Sequence, residues 1–280
     1  MNIGVGIPNT LFGADRKLII DWICKADAGP FASLGVFDRL AYNSLDAMSV
    51  LSAAAVLTQR VRLATTVLIG PLRNTALLAK DAATIDVLSG GRLTLGLAVG
   101  ARHDDYEAAE VDHLTRGKRL DQQLAELRSY WENDAIGPKP AQPNGPELIV
   151  GGLTDVAYGR AARFADGYIH GGGPPRAFAS AAEKARVAWI DAGRPGKPRL
   201  WGMGYYALHP DHAEAGKDYL RHYYSFTGPF AERIAEGLLT TPHAIAAFVR
   251  GYAEAGCDEL VLFPTVADAD ELDRLSDALA

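Results

Sequence analysis

Residues 61–100 read VRLATTVLIG PLRNTALLAK DAATIDVLSG GRLTLGLAVG. Two apolar, β-rich runs, Val61–Ile69 and Arg92–Val99, bracket a segment with helical spacing, Asn74–Leu88. Within it Leu77, Leu78, Asp81, Ala82, Ile85 and Leu88 recur at intervals of one, three and four. That spacing predicts one mainly apolar stripe laid on a sheet. Ser89-Gly90-Gly91 ends the helix, because glycine takes the left-handed conformation a helix C-terminus often needs. Near-continuous apolar strands are buried on both faces, as in a parallel sheet, so the stretch reads as a β-α-β crossover.

The same alternation extends in both directions. Upstream lie the short strands Ile3–Ile7 and Gly35–Phe37. The first is followed by the helix Arg16–Ala28, capped by Asp15, with Leu18, Ile19, Trp22, Ile23 and Ala26 on its apolar face; the second by the alanine-rich helix Asp46–Thr58. Downstream, a polar loop, Gly100–Leu114, leads into the helix Thr115–Trp131, with Leu120, Leu124 and Leu127 on one side. Gly137–Pro146 holds four prolines and is a connector. Strands follow at Glu147–Val150, Gly167–His170, Leu200–Leu208 and Glu259–Phe263, with helices between and after them. Thr241-Pro242 caps and starts one of these helices. Eight strands alternating with helices over 280 residues predict a (β/α)8 TIM barrel, a single domain spanning 1–280. The alternative, an open doubly wound sheet, wants a G-x-G-x-x-G after its first strand, and GVGIPNT does not have that spacing.

With 22% charged residues, a net charge of −6 and no basic run longer than two, a nucleic-acid or acidic-membrane footprint is not expected. Cys24 and Cys257 lie far apart, which fits a reduced, cytoplasmic setting. Met1 runs straight into the first strand, leaving no room for a signal peptide, and no apolar run reaches the length of a membrane span.

In a barrel of this kind function sits at the carboxyl ends of the strands. Gly151-Gly152 followed by a helix that Thr154 can cap leaves free N–H groups at a positive helix end, a natural phosphate seat. Gly171-Gly172-Gly173 makes a second close-approach backbone next door. Both are also compatible with ordinary tight turns. Asp38 ends the second strand; it suits contact with a cofactor ring or proton transfer, and equally a structural ion pair with Arg39 or Arg73. His209 and His212 have the spacing of a metal pair but no evident third ligand, so no metal is expected. Tyr223, Tyr224, Phe226 and Phe230 cluster, as a substrate wall, a lid or an oligomer contact would.

These residues carry a family likeness. RLATTVLIGPLRNTALLAKDAATIDVLSGGRLTLGLAVG from Arg62, Asp38-Arg39-Leu40, Arg116-Gly117-Lys118-Arg119-Leu120-Asp121, Val150-Gly151-Gly152 with Ala165-Asp166-Gly167, and Thr241-Pro242 with Ala255-Gly256-Cys257-Asp258-Glu259-Leu260 stand in order along almost the whole chain. Together they resemble the bacterial luciferase-like superfamily of flavin- and deazaflavin-dependent monooxygenases and oxidoreductases. The resemblance implies a barrel with FMN or coenzyme F-420 (a 5-deazaflavin) at its mouth, NAD(P)H as electron donor, and a homodimer acting on a small organic substrate. It implies a cis peptide at Thr66-Val67 against the ring, a phosphate seat on Gly151, Gly152 and Thr154 with Gly171 and Gly172 adjoining, and a phosphate contact from Arg116. Val99 stands where the luciferase branch has a second phosphate arginine, and Asn74 where it has a histidine near the ring, so no catalytic histidine is carried over to that position. Asp38-Arg39 and Pro71-Leu72-Arg73-Asn74 look more like the deazaflavin branch. Asp38, also at the ring, and His103 are the catalytic candidates; Tyr106, Tyr223 and Phe226 are expected on the substrate side. Any lid comes from Gly100–Leu114 or Tyr223–Leu239. The rival readings are a cofactor-free barrel lyase or aldolase, which wants a Schiff-base lysine at a strand end where none clearly stands, and a flavin-binding barrel without turnover.

Overall fold

The structure, a computed structural model, describes residues 1–133 and 136–280. Its first half runs β1 (Asn2–Gly6), α1 (Arg16–Ala28), β2 (Ser33–Val36), α2 (Ala47–Leu57), β3 (Arg62–Thr65), β4 (Leu68–Ile69), α3 (Thr75–Leu88), β5 (Leu93–Ala98), α4 (His103–Ala108) and α5 (Arg116–Glu132). The second half runs β6 (Glu147–Gly151), α6 (Asp155–Phe164), β7 (Gly167–Ile169), α7 (Pro175–Asp191), β8 (Arg199–Tyr206), α8 (Ala213–Tyr223), α9 (Phe230–Glu236), α10 (Pro242–Glu254), β9 (Glu259–Pro264) and α11 (Asp270–Leu279). Every strand pairing is parallel, in the order β3-β2-β1-β9-β8-β7-β6-β5-β4, and β3 closes the ring on β5. This is the (β/α)8 barrel.

Three expectations need correction. The run Val61–Ile69 is not one strand. A cis peptide at Thr66-Val67 divides it into β3 and β4, and both halves pair with β5. The α3 stripe is also rotated. Leu77 and Leu88 are 63% and 50% exposed, while Leu78, Ala79, Ala82, Ala83, Ile85 and Asp86 are buried. The helix lies against α2 and α5 as well as the barrel, and small alanines let those neighbours approach. The Gly100–Leu114 loop, read as polar coil, contains α4. The expected caps hold: Asp15, Thr154 and Thr241 each accept a backbone N–H of the first turn of α1, α6 and α10.

Alternation along the strands sorts side chains into two cores. Leu63, Leu148, Val150, Leu200, Leu260 and Leu262 lie under the helices. Ala64, Ile149, Ile169, Trp201, Met203 and Val261 fill the barrel. The amino end of the barrel is plugged by polar pairs. Glu259 is buried and accepts from Ser33 Oγ at 2.6 Å and Asn2 Nδ2 at 3.1 Å, and Glu147 accepts from Thr94 Oγ1 at 2.7 Å. Arg199 lies 3.5 Å from Glu147 and 3.6 Å from Glu259. Room for chemistry is therefore at the carboxyl end. Among the described residues no helix is long and apolar enough to cross a membrane.

Candidate active site

Asp38 follows β2 and is buried at the rim. Its carboxylate accepts the Ile69 N–H at 2.9 Å and the Arg73 Nη2 at 2.9 Å; the same Arg73 nitrogen reaches Asp46 at 2.9 Å. Burial raises the Asp38 pKa above the ordinary carboxylate value, against the opposing pull of Arg73. The ion pair with Arg73 is thus the partnership the fold builds, and Asp38 ties β2 to β4, next to the Thr66-Val67 peptide. Asn74, in the position of the luciferases' histidine, caps α3 through Leu77 N.

The glycine turns meet at the neighbouring strand ends. A Cβ at Gly151 would lie 3.4 Å from Val67 Cγ1, so this glycine and the cis peptide share one wall. Gly152 sits at φ +144°, and a Cβ there would come within 2.6 Å of the Ala157 Cβ. Gly172 and Gly173 also have positive φ, whereas a Cβ at Gly171 would point into open space. Gly152 packs against α6 and Gly172 lies over the Met203 carbonyl, so Gly171 is the glycine of these turns that faces open space. Thr154 is exposed at the start of α6. His170, at the end of β7, is buried. Its Nδ1 lies 3.3 Å from the Tyr168 hydroxyl, which donates to the Gly152 carbonyl at 2.8 Å, while its Nε2 is buried with no partner among the described residues. Burial lowers the His170 pKa, so the ring is neutral at pH 7.

The segment after β5 places its candidates differently. Tyr106 is buried, and its hydroxyl donates to the Val99 carbonyl. Burial pushes that phenol up to about 12. His103 is exposed and its ring lies 3.9 Å from that of His113. Arg116 starts α5 and donates from Nη1 to the His113 carbonyl at 2.7 Å. Tyr223 is the buried last residue of α8, and Phe226 is half exposed beyond it.

An aromatic cluster covers the mouth. Phe37 stacks on Phe263 at 3.9 Å, Tyr223 and Tyr205 lie within 6.0 Å of Phe37, and the Tyr205 and Tyr224 hydroxyls are hydrogen-bonded. Val67 packs against this same cluster. Arg102 spans the two expected lid segments: its Cζ lies 4.4 Å from the Tyr223 ring and 4.3 Å from the Phe226 ring. Beneath it Arg39 donates from Nε to Asp105 at 2.7 Å and from Nη2 to Asp104 at 2.9 Å; fully buried Asp105 also accepts the Leu40 and Ala41 N–H groups. Asp38, Thr66, Val67, Gly151, Gly152, Gly171 and Gly172 thus ring the carboxyl end of the barrel with Tyr223. Arg116 and Thr154 stand at helix starts beside it.

The profile of luciferase-like monooxygenases matches residues 4–255. The chain belongs to that family. Among its relatives, an uncharacterised Mycobacterium tuberculosis protein is 38% identical over 141 residues, covering 45% of this chain and 48% of its own. The FMNH2-dependent dimethylsulfone monooxygenase of Pseudomonas putida is 26% identical over 147 residues, 46% of this chain and 40% of its own. The chain spans about half the length of the curated relatives it matches. Among solved structures, the monooxygenase RslO1 from Streptomyces bottropensis superposes with a TM-score of 0.80 at 20% identity, covering 100% of this chain and 97% of that one. An F420-dependent secondary alcohol dehydrogenase bound to an F420-acetone adduct superposes with a TM-score of 0.78 at 17% identity, covering 99% and 97%. At those identities the superpositions establish the luciferase-like fold.

Sequence reasoning passed over Arg102, Asp105 and His170 as site residues. His170 directly precedes the glycine turn, and that adjacency was a usable signal. Arg102 and Asp105 had none, since their partners lie more than sixty residues away in sequence. His212 does gather with Asp268 and Glu271, but buried Glu271 already accepts from Leu208 N at 2.6 Å and His209 N at 2.8 Å and faces His212 Nδ1 at 3.0 Å.

Proposed function

We propose that this chain is an oxidoreductase that holds FMN or coenzyme F-420 at the carboxyl mouth of its barrel and acts on a small organic substrate. The observation that carries the reading is the open backbone at Gly171 beside His170 Nε2, which has no partner among the described residues, with Gly151 and Val67 in contact on the adjoining wall. Such a surface suits a flat polar ring and a phosphate approaching main chain. The names of the relatives support the same reading, since they include an FMNH2-dependent monooxygenase and an F420-dependent dehydrogenase.

A bound flavin or deazaflavin supplies the redox chemistry, as hydride transfer or oxygen activation. Gly151, Gly152, Gly171 and Gly172 would bring backbone to it, Thr154 and Arg116 would hold its phosphate, and Thr66-Val67 would support the ring. Asp38 holds that segment through Ile69 N. Neutral His170 offers Nε2 as a hydrogen-bonding group. Tyr223 and Phe226 screen the substrate from water, His103 is the substrate-side group at the outer rim, and Tyr106 fixes the end of β5. Two copies pair through α2 and α3, whose outer faces expose Val56, Leu77, Val87 and Leu88.

The test presents protein loaded with each cofactor, oxidised for alcohols and reduced for carbonyl compounds and sulfones, to a panel of these compounds, following cofactor absorbance, oxygen uptake and product together. Turnover with one cofactor is expected, and oxygen uptake matched by oxygenated product assigns it to monooxygenation. Binding without turnover across the panel would contradict an enzymatic role.

A further inference from the structure

Arg102 is a cation with no matched anion. No hydrogen bond or ion pair engages its guanidinium among the described residues; its neighbours are the faces of Tyr223, Phe226 and, at 5.9 Å, Tyr224. Asp104 and Asp105, the acids nearby, are spent on Arg39 and on the Leu40 and Ala41 N–H groups. Burial, with the neighbouring Arg39 charge, lowers its proton affinity against the opposing pull of Tyr223, Tyr224 and Asp105.

Arg39 adds a second orphan. Its side chain is 3% exposed, yet Nη1 has no acceptor among the described residues. Its Cζ lies 5.0 Å from the Tyr42 ring and 5.8 Å from Tyr223, the ring on which Arg102 also stacks. Two guanidiniums with free donors therefore share one aromatic wall, above Phe37 and Phe263 at the barrel mouth. Arg39 makes an ion pair with each aspartate, and Arg102 makes none among the described residues. The two arginines and two aspartates balance, so what this wall offers is unused guanidinium donors and not net charge. A planar carboxylate matches a guanidinium fork, and flat apolar rings beside it accept a flat apolar body.

We propose that Arg102, with Nη1 of Arg39, binds the carboxylate of an acidic substrate whose apolar body lies against Tyr42, Tyr223 and Phe226. This rests on the mouth being the reaction site and adds the substrate class to it.

The experiment uses the full chain without cofactor at fixed ionic strength. Benzoate, cinnamate and 2-naphthoate, each paired with its primary amide, are titrated by calorimetry into wild type, Arg102→Gln and Arg102→Lys. At least one acid should bind about tenfold tighter than its amide, Arg102→Gln should abolish that preference, and Arg102→Lys, lacking the fork, should restore only part of it. FMN and coenzyme F-420 affinities, measured on the same variants, should stay within about twofold of wild type. No acid preferred over its amide in wild type overturns the proposal, a result that needs no variant to fold. So does a preference that survives Arg102→Gln. Loss of cofactor affinity with the acid preference intact would assign the arginines to the cofactor's own anion and overturn it too. Failure of the cofactor reading looks different: neither cofactor binds wild type, whatever the acids do.

Discussion

His170 has one ring nitrogen beside Tyr168 and one without a partner among the described residues, and burial keeps the ring neutral. Its pKa lies below the unfolded value of about 6.5, so as pH falls through 6.5 the unfolded chain takes up a proton that the native state refuses. Stability should fall over that window and level off once pH passes the lower, native pKa. His170→Gln should flatten this part of the profile, as read from urea midpoints between about pH 7.5 and 5. Asp38 has the opposite sign. Burial outweighs Arg73 and raises its pKa, so ionisation costs the native state stability as pH rises from the unfolded value through the raised one. Asp38→Asn should therefore change stability by less than about 1 kcal/mol, whereas Asp38→Ala, which leaves the Ile69 N–H unpaired, should cost about 2 kcal/mol in the same urea experiment. Asp38 was legible because a carboxylate at a strand end is conspicuous in sequence. Which of its two readings the fold realises was not, because Arg73 and Ile69 meet it only once β2 and β4 are placed.

The segment after β5 is held to the end of β2 by Asp105. Removing that carboxylate leaves the buried Arg39 Nε and two N–H groups without their acceptor. Asp105→Ala should cost about 3–5 kcal/mol, seen as a lower urea midpoint, while Asp104→Ala, whose side chain is half exposed, should cost under about 1 kcal/mol. The helices and their caps were readable because they depend on neighbours within a few residues. The rotation of α3 was not: periodicity reports spacing, but which arc faces inward depends on α2 and α5 lying beside it. The break of Val61–Ile69 into β3 and β4 was invisible to composition, since both halves are equally apolar, and only the family resemblance marked Thr66-Val67.

The barrel as a whole followed from counting alternations, because eight β-α units of this length leave few ways to close. Its polarity follows from chemistry: the Glu147 and Glu259 network fills one end, and glycine turns, aromatic rings and free cationic donors crowd the other. Apolar side chains left outside on α2 and α3 predict self-association. Sedimentation should show a dimer that Leu77→Glu shifts towards monomer, and a monomeric wild type would contradict the pairing. The central claim concerns the mouth and is tested by titrating cofactor-free protein with FMN and, separately, coenzyme F-420, following ring fluorescence, in wild type and Thr154→Asp. Aspartate keeps the helix cap while setting a negative charge at the phosphate seat; Gly152, with its positive φ and a close Ala157, does not tolerate that change. Saturable binding of one cofactor, weakened at least about tenfold by Thr154→Asp, is the predicted result. Binding of neither cofactor to wild type would contradict the account.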